Sequence, residues 1–167
     1  MKPTITIIDK DWLTKNLPCQ EALDWYGDYL DKSPIEILNR LIEAKKYVWA
    51  NWFVARVMTY HDYVSYAVFA AEQVIDIYEK KYPDDNRPRK AIEAAKKCIV
   101  DPSDENKAEA AEAAGAAWAA AGASWAAAGA ARAAAEAAGA VETAEATAKT
   151  ALQLKILNYG LKLLEET

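Results

Sequence analysis

One histidine, two cysteines and a handful of serines set a narrow limit on the chemistry open to this chain. With His61 alone, sites built on several histidines are excluded. Cys19 and Cys98 lie too far apart to supply a zinc-type cysteine pair or a disulfide framework, and they read as reduced thiols in apolar helices. The Glu-x-x-His step of di-iron bundles fails because Met58 stands where the glutamate belongs. A serine triad would have to recruit His61 as its base, and no serine sits in a nucleophile-elbow sequence. Neither common glycine-rich phosphate loop is present. A Cys19–His61 nucleophile pair is the one catalytic arrangement left, without further support in the sequence. These residue types predict a protein that is not an enzyme and carries no metal or cofactor.

The chemistry that remains is recognition, and four groups of residues carry it. Trp49, Trp52 and Arg56 share one helical face, with Tyr60 a turn further and His61 beside it. Read structurally, they are core aromatics whose arginine pairs with Glu72 or Asp76 of the next helix. Read functionally, they line a pocket with a guanidinium for an anionic or planar ligand. Glu72, Asp76 and Glu79 form an acidic stripe that repels itself unless something offsets it. It is either a solvated face beside Lys80 and Lys81 or a contact surface for a basic partner.

Arg87, Arg89 and Lys90 crowd a helix start, where the helix dipole favours anions. Either Asp84, Asp85 and Glu93 neutralise them, or an outside phosphate or carboxylate does. Trp118, Trp125 and Arg132 recur every seven residues within an alanine tract. They fill a core, or they form a stacking platform for a base or a partner's side chain.

The elements that must position these groups are all helical. The chain has 167 residues, 53% hydrophobic and 27% charged, a globular composition of single-domain size. Its net charge of -5 argues against general DNA or RNA binding, which needs an excess of lysine and arginine. The N-terminus lacks the pattern of a secretory signal, so a cytoplasmic address is expected. The uncharged stretch 113–131 is long enough to span a bilayer but has none of the Leu, Ile, Val or Phe that drives insertion, so no membrane association is expected.

Residues 1–100 are rich in aromatic and large aliphatic side chains, and residues 101–167 in alanine before a leucine-rich tail. No linker separates them. The fold class is therefore an all-α, single-domain helical bundle over residues 1–167, with a closely packed Ala/Gly-rich C-terminal region. Thr4 to Ile8 reads as a short extended arm, and Pro18 opens a helix running through Asp31. Ser33, Pro34 and Glu36 make a capping box ahead of Ile37, Leu38, Leu41 and Ile42. Helices are expected over Trp49–Thr59, over Tyr63–Lys81 and from Pro88 to about Cys98. Asp101 and Pro102 open the last helical region.

Gly115, Gly122 and Gly129 repeat at seven residues within that region. Each costs about 1 kcal/mol against alanine in a helix, so the stripe is read as a place of close helix approach, within the chain or in a homo-oligomer. A single helix from Pro102 to Glu166 would reach about 95 Å, so a reversal is expected near Gly122–Ser124 or Gly139. Leu152, Ile156, Tyr159 and Leu163 have the spacing to pack the tail onto the aromatic half.

Several of these features occur in a familiar order. Cys19 followed by Trp25, the Trp49–Arg56 helix, the run Arg87, Pro88, Arg89, Lys90, Ala91, Ile92, Glu93, Ala94, Ala95, the alanine tract and the Leu-rich tail together resemble bacterial immunity proteins. These form an alanine-rich helical family linked to polymorphic toxin systems and found also in phages. The resemblance spans most of the chain from Cys19 on, and Arg87–Ala95 is its sharpest part. Members often carry Ala-Ala-Tyr or Ala-Ala-Asp repeats where this chain has Trp and Gly. The resemblance implies inhibition by binding, with a protein toxin or a defence effector as partner. A phage counter-defence protein that sequesters a nucleotide-type signalling ligand through Arg and Trp is the alternative.

Overall fold

The computed structural model describes residues 5, 7–16, 19–27, 30–110, 112 and 142–166. Eight helices run in the order α1 (Lys10–Asn16), α2 (Gln20–Gly27), α3 (Pro34–Glu43), α4 (Tyr47–Val57), α5 (Tyr60–Glu72), α6 (Ile75–Lys81), α7 (Arg87–Val100) and α8 (Glu142–Glu165). Residues 104–110 are also helical. Among the described residues there is no strand, so the all-α class holds. The chain divides into two compact units, one formed by Met1–Tyr66 with Gln153–Thr167, the other by Ala67–Leu152.

Of the extended arm expected over Thr4–Ile8, Thr4 and Thr6 lie outside the described residues, and Ile8 forms one antiparallel bridge in the first unit. Ile8 N–H donates to the Lys32 carbonyl at 2.9 Å and the Ile8 carbonyl accepts from Asp31 N–H at 2.8 Å. That second bond holds Asp31 at φ 63°, outside helical space, so the helix expected through Asp31 is shorter and α2 ends at Gly27. Cys19 lies exposed ahead of α2 rather than in an apolar helix, whereas Cys98 is buried as expected.

The capping box forms as its sequence predicts. Ser33 Oγ accepts from Glu36 N–H at 3.2 Å, and Glu36 Oε2 accepts from Ser33 N–H at 3.0 Å. Ile37, Leu38 and Leu41 are then fully buried, and α3 packs against α4. α3 ends in a Schellman motif, with Lys46 N–H donating to the Leu41 carbonyl at 2.9 Å and Lys45 N–H to the Ile42 carbonyl at 3.0 Å. The residue that must turn left-handed is Lys45, at φ 57°, where glycine is the usual choice.

The core of this unit gathers Ile8, Tyr26, Leu38, Phe53, Val54 and Leu157. The tail packs onto the aromatic half as expected, with Ile156, Tyr159 and Leu163 of the expected stripe partly buried there, but its fully buried residue is Leu157, which lies outside that stripe. Gly160 sits at the closest approach. A Cβ built there falls 2.8 Å from the Tyr66 ring and 3.1 Å from Val54, and the Tyr66 ring is tethered by its hydroxyl donating to Asn51 Oδ1.

Met58 is extended (ψ 149°), so α4 stops at Val57 and Thr59 caps α5, its Oγ1 accepting from Asp62 N–H at 3.2 Å and donating to Asp62 Oδ2 at 2.6 Å. The single helix expected over Tyr63–Lys81 is two. Val74, at φ -124°, leaves helical space between α5 and α6, and the Gln73 side chain takes up the Phe69 carbonyl at 3.0 Å.

Two substitutions test this account. Lys45→Gly relieves a left-handed side chain and is expected to raise stability by about 0.5–1 kcal/mol, a rise of roughly 1–4 °C in the thermal midpoint. Tyr26 is 1% exposed and its hydroxyl has no hydrogen-bond partner among the described residues. Burial holds that hydroxyl protonated far above its ordinary range. Tyr26→Phe removes an unsatisfied group and is expected to gain about 1 kcal/mol in chemical denaturation; a loss of stability would mean that the hydroxyl is satisfied after all.

Candidate partner-binding surface

Three of the four sequence groups lie among the described residues, and they resolve into two neighbourhoods. In the first unit, Trp49 and Trp52 are half-buried members of an aromatic cluster. Trp49 meets the Trp25 ring edge-on at 6.2 Å, with Lys46 Nζ over its face at 3.8 Å. Trp52 meets Trp12 edge-on at 6.2 Å, and Trp12 in turn meets Phe53 at 5.7 Å. Arg56 lies over Trp52, its guanidinium carbon 4.0 Å from the ring centroid, and Nη1 donates to the Trp52 carbonyl at 3.0 Å. Tyr60 and His61 open α5 with exposed side chains, and His61 Nδ1 lies 3.2 Å from Asp62 Oδ1.

In the second unit, the acidic stripe and the basic helix start complete each other. Arg89 Nε and Nη2 donate to the two oxygens of Glu79 at 2.7 and 2.6 Å, and Nη2 lies 3.5 Å from Asp76 Oδ1. Lys96 Nζ meets Glu72 Oε1, and Lys97 meets Glu109 at 2.7 Å. Arg87 makes a paired contact with Asp85, Nε and Nη2 each at 2.8 Å, while Tyr78 donates to Asp85 Oδ2 at 2.7 Å. Lys90 is exposed and has no ion-pair partner among the described residues.

These contacts change three expectations. Glu72 and Asp76 pair with Lys96 and Arg89 rather than with Arg56. The stripe is an internal set of ion pairs rather than a bare acidic face. At the helix start, Asp85 neutralises Arg87 as anticipated, but Arg89 takes its partners from α6 and not from Asp84 or Glu93. The signal that would have revealed this is a matched spacing. Glu72 and Glu79 lie seven residues apart, as do Arg89 and Lys96, and pairing 79 with 89 and 72 with 96 is the register of antiparallel neighbours. Trp118, Trp125 and Arg132, the Gly115/Gly122/Gly129 stripe and the expected reversal lie outside the described residues.

The pairs also set the acid response. Hydrogen bonds from Arg87, then Tyr78, hold the Asp85 carboxyl well below the usual carboxylate range, and those from Arg89 lower Glu79. The same bonds raise Arg89, and Glu109 raises Lys97. Among the described residues no His, Cys, Asp and Glu are grouped to hold a metal ion, and no described helix is long and apolar enough to cross a membrane.

A family model described as "Imm-5 like putative immunity protein" matches residues 55–166. The chain belongs to that family. The match takes in Arg56 and all of α5 to α8, so the ion-paired α6–α7 neighbourhood lies inside the immunity-protein segment, while α1 to α3 and most of α4 precede it. It begins well after Cys19, where the sequence resemblance was expected to start. No curated protein and no solved structure matches this immunity-family chain.

Carboxylates whose values are depressed in the folded state stabilise it fully above their unfolded values and lose that contribution as pH falls through the folded ones. The thermal midpoint is therefore expected to stay nearly level from pH 7 to 5 and to drop below about pH 4, near the unfolded carboxylate values. In an Asp85→Asn, Glu79→Gln double variant the drop should be shallower; an unchanged acid profile would show that these pairs contribute nothing.

Proposed function

We propose that this chain neutralises a toxin or defence effector by binding it, without catalysis of its own. Membership of the immunity family over residues 55–166 is the observation that carries this reading. The side-chain inventory supports it. A lone histidine, hydrogen-bonded to its neighbour Asp62 at an exposed helix start, offers no partner set for general acid–base or nucleophilic work.

The alternative of a phage protein that sequesters a nucleotide signal drew its phosphate-binding half from Arg87 and Arg89. Each already holds a carboxylate through two hydrogen bonds, and a phosphate would have to displace it. The protein-binding reading is favoured on that ground. An inhibitor of this type works by covering its target, so the complex should be stoichiometric and buried over the area of a specific interface, about 1,200–2,000 Å².

Among the products of the genes flanking its own, one should be toxic when expressed alone; co-expression with this chain should restore growth, and the two should co-elute in equal amounts by size-exclusion chromatography. Nucleotides, cyclic or linear, should leave the melting temperature unchanged. Absence of both protection and a complex with any flanking product, or a clear thermal shift with a nucleotide, would overturn this assignment.

A further inference from the structure

Arg56 differs from Arg87 and Arg89 in having no carboxylate among the described residues. It is half-buried in the last turn of α4, in a chain with 25 acidic residues. Its position is nonetheless fixed. The Trp52 ring lies under one face at 4.0 Å, and a single N–H is spent on the Trp52 carbonyl at 3.0 Å. A guanidinium has five N–H donors in a planar fork, so most of that fork has no partner among the described residues. The platform beneath is braced by the core through Trp12 on Trp52 and Trp12 on the fully buried Phe53. One turn before Trp52, Val48 is 75% exposed. The α4 face thus carries valine, indole and guanidinium at successive turns, and of these tryptophan and arginine are the residues enriched where binding energy concentrates.

We propose that the Val48–Trp52–Arg56 face docks a protein segment bearing an aspartate or glutamate, whose carboxylate meets the open edge of Arg56 while its apolar neighbours lie on Trp52 and Val48. Charge complementarity selects the occupant. The planar fork matches a carboxylate through two parallel hydrogen bonds, and stacking on the ring leaves those donors directed sideways. The apolar flank favours a side chain presented by a polypeptide over a free ion. Because the arginine is already held in one rotamer, little side-chain entropy is lost on binding. That the segment belongs to the toxin rests on the immunity reading; the chemistry of the face does not.

The test uses the full chain, with arginine and tryptophan side chains labelled for NMR. The probe is a short capped Leu-Glu-Leu peptide, with its glutamine counterpart and inorganic phosphate as comparison arms. The Arg56 Nε–H and Trp52 Nε1–H signals are expected to move and saturate with the glutamate peptide, at a dissociation constant on the order of 1 mM. Affinity should be at least about 10-fold weaker for the glutamine peptide, and likewise for Arg56→Gln and Arg56→Lys with the glutamate peptide, the latter variant keeping the charge without the fork. An unchanged thermal midpoint shows that both variants remain folded. No movement up to about 10 mM peptide, equal binding of the two peptides, or an equal response to phosphate would overturn the proposal. No toxin enters this experiment, so its failure leaves the immunity reading standing, and failure of co-expression leaves this face to be judged by the peptide.

Discussion

Arg89 meets Glu79 fork to fork, with Asp76 on its flank, and much of the surface chemistry is decided by that allocation. All three side chains are partly solvated, so the pairing is worth little as a source of stability. Its weight lies in occupancy. An outside phosphate would have to displace the carboxylate from such a guanidinium, and a basic partner would have to displace the cation from such a carboxylate. The same closure recurs at Asp85 with Arg87 and at Glu72 with Lys96, so two features that looked like competing binding sites in sequence are two halves of one contact.

The break at Val74 belongs to this logic. An uninterrupted helix keeps Glu72, Asp76 and Glu79 on one face, where they repel each other. With the turn between α5 and α6, the acids before and after it each find a cation on α7. Packing of the first unit follows a different principle. There the apolar faces of α3, α4 and α8 close around Tyr26 and Phe53, and the charges stay outside as caps and stacked cations.

How much of this was legible depended on sequence distance. The capping box at Ser33 was, because both partners lie within one turn and their bonds are set by local geometry. So was the packing of the tail through Ile156, Tyr159 and Leu163, since a leucine-rich stripe needs an apolar surface and the first half supplies it, although the residue buried most deeply, Leu157, lies beside that stripe. The left-handed Lys45 was not, because nothing in its own side chain asks for that conformation; the turn from α3 to α4 imposes it. The break at Val74 was hidden by good helical periodicity on both sides. The partners of Arg56, Glu72 and Asp76 were misassigned because nearness along the chain was used for a question settled by which helices run side by side.

The second unit is an insertion within the first. Residues 67–152 leave after Tyr66 and return before Gln153, and only then does the chain supply Leu157 and Gly160 to the core begun by residues 1–66. Of these two segments the one made first, residues 1–66, therefore waits with its apolar face open for residues 153–167. Residues 1–66 cannot close their core until residues 153–167 have been made, and loss of that later segment would leave the earlier one, rather than the missing piece, as the exposed hydrophobic surface.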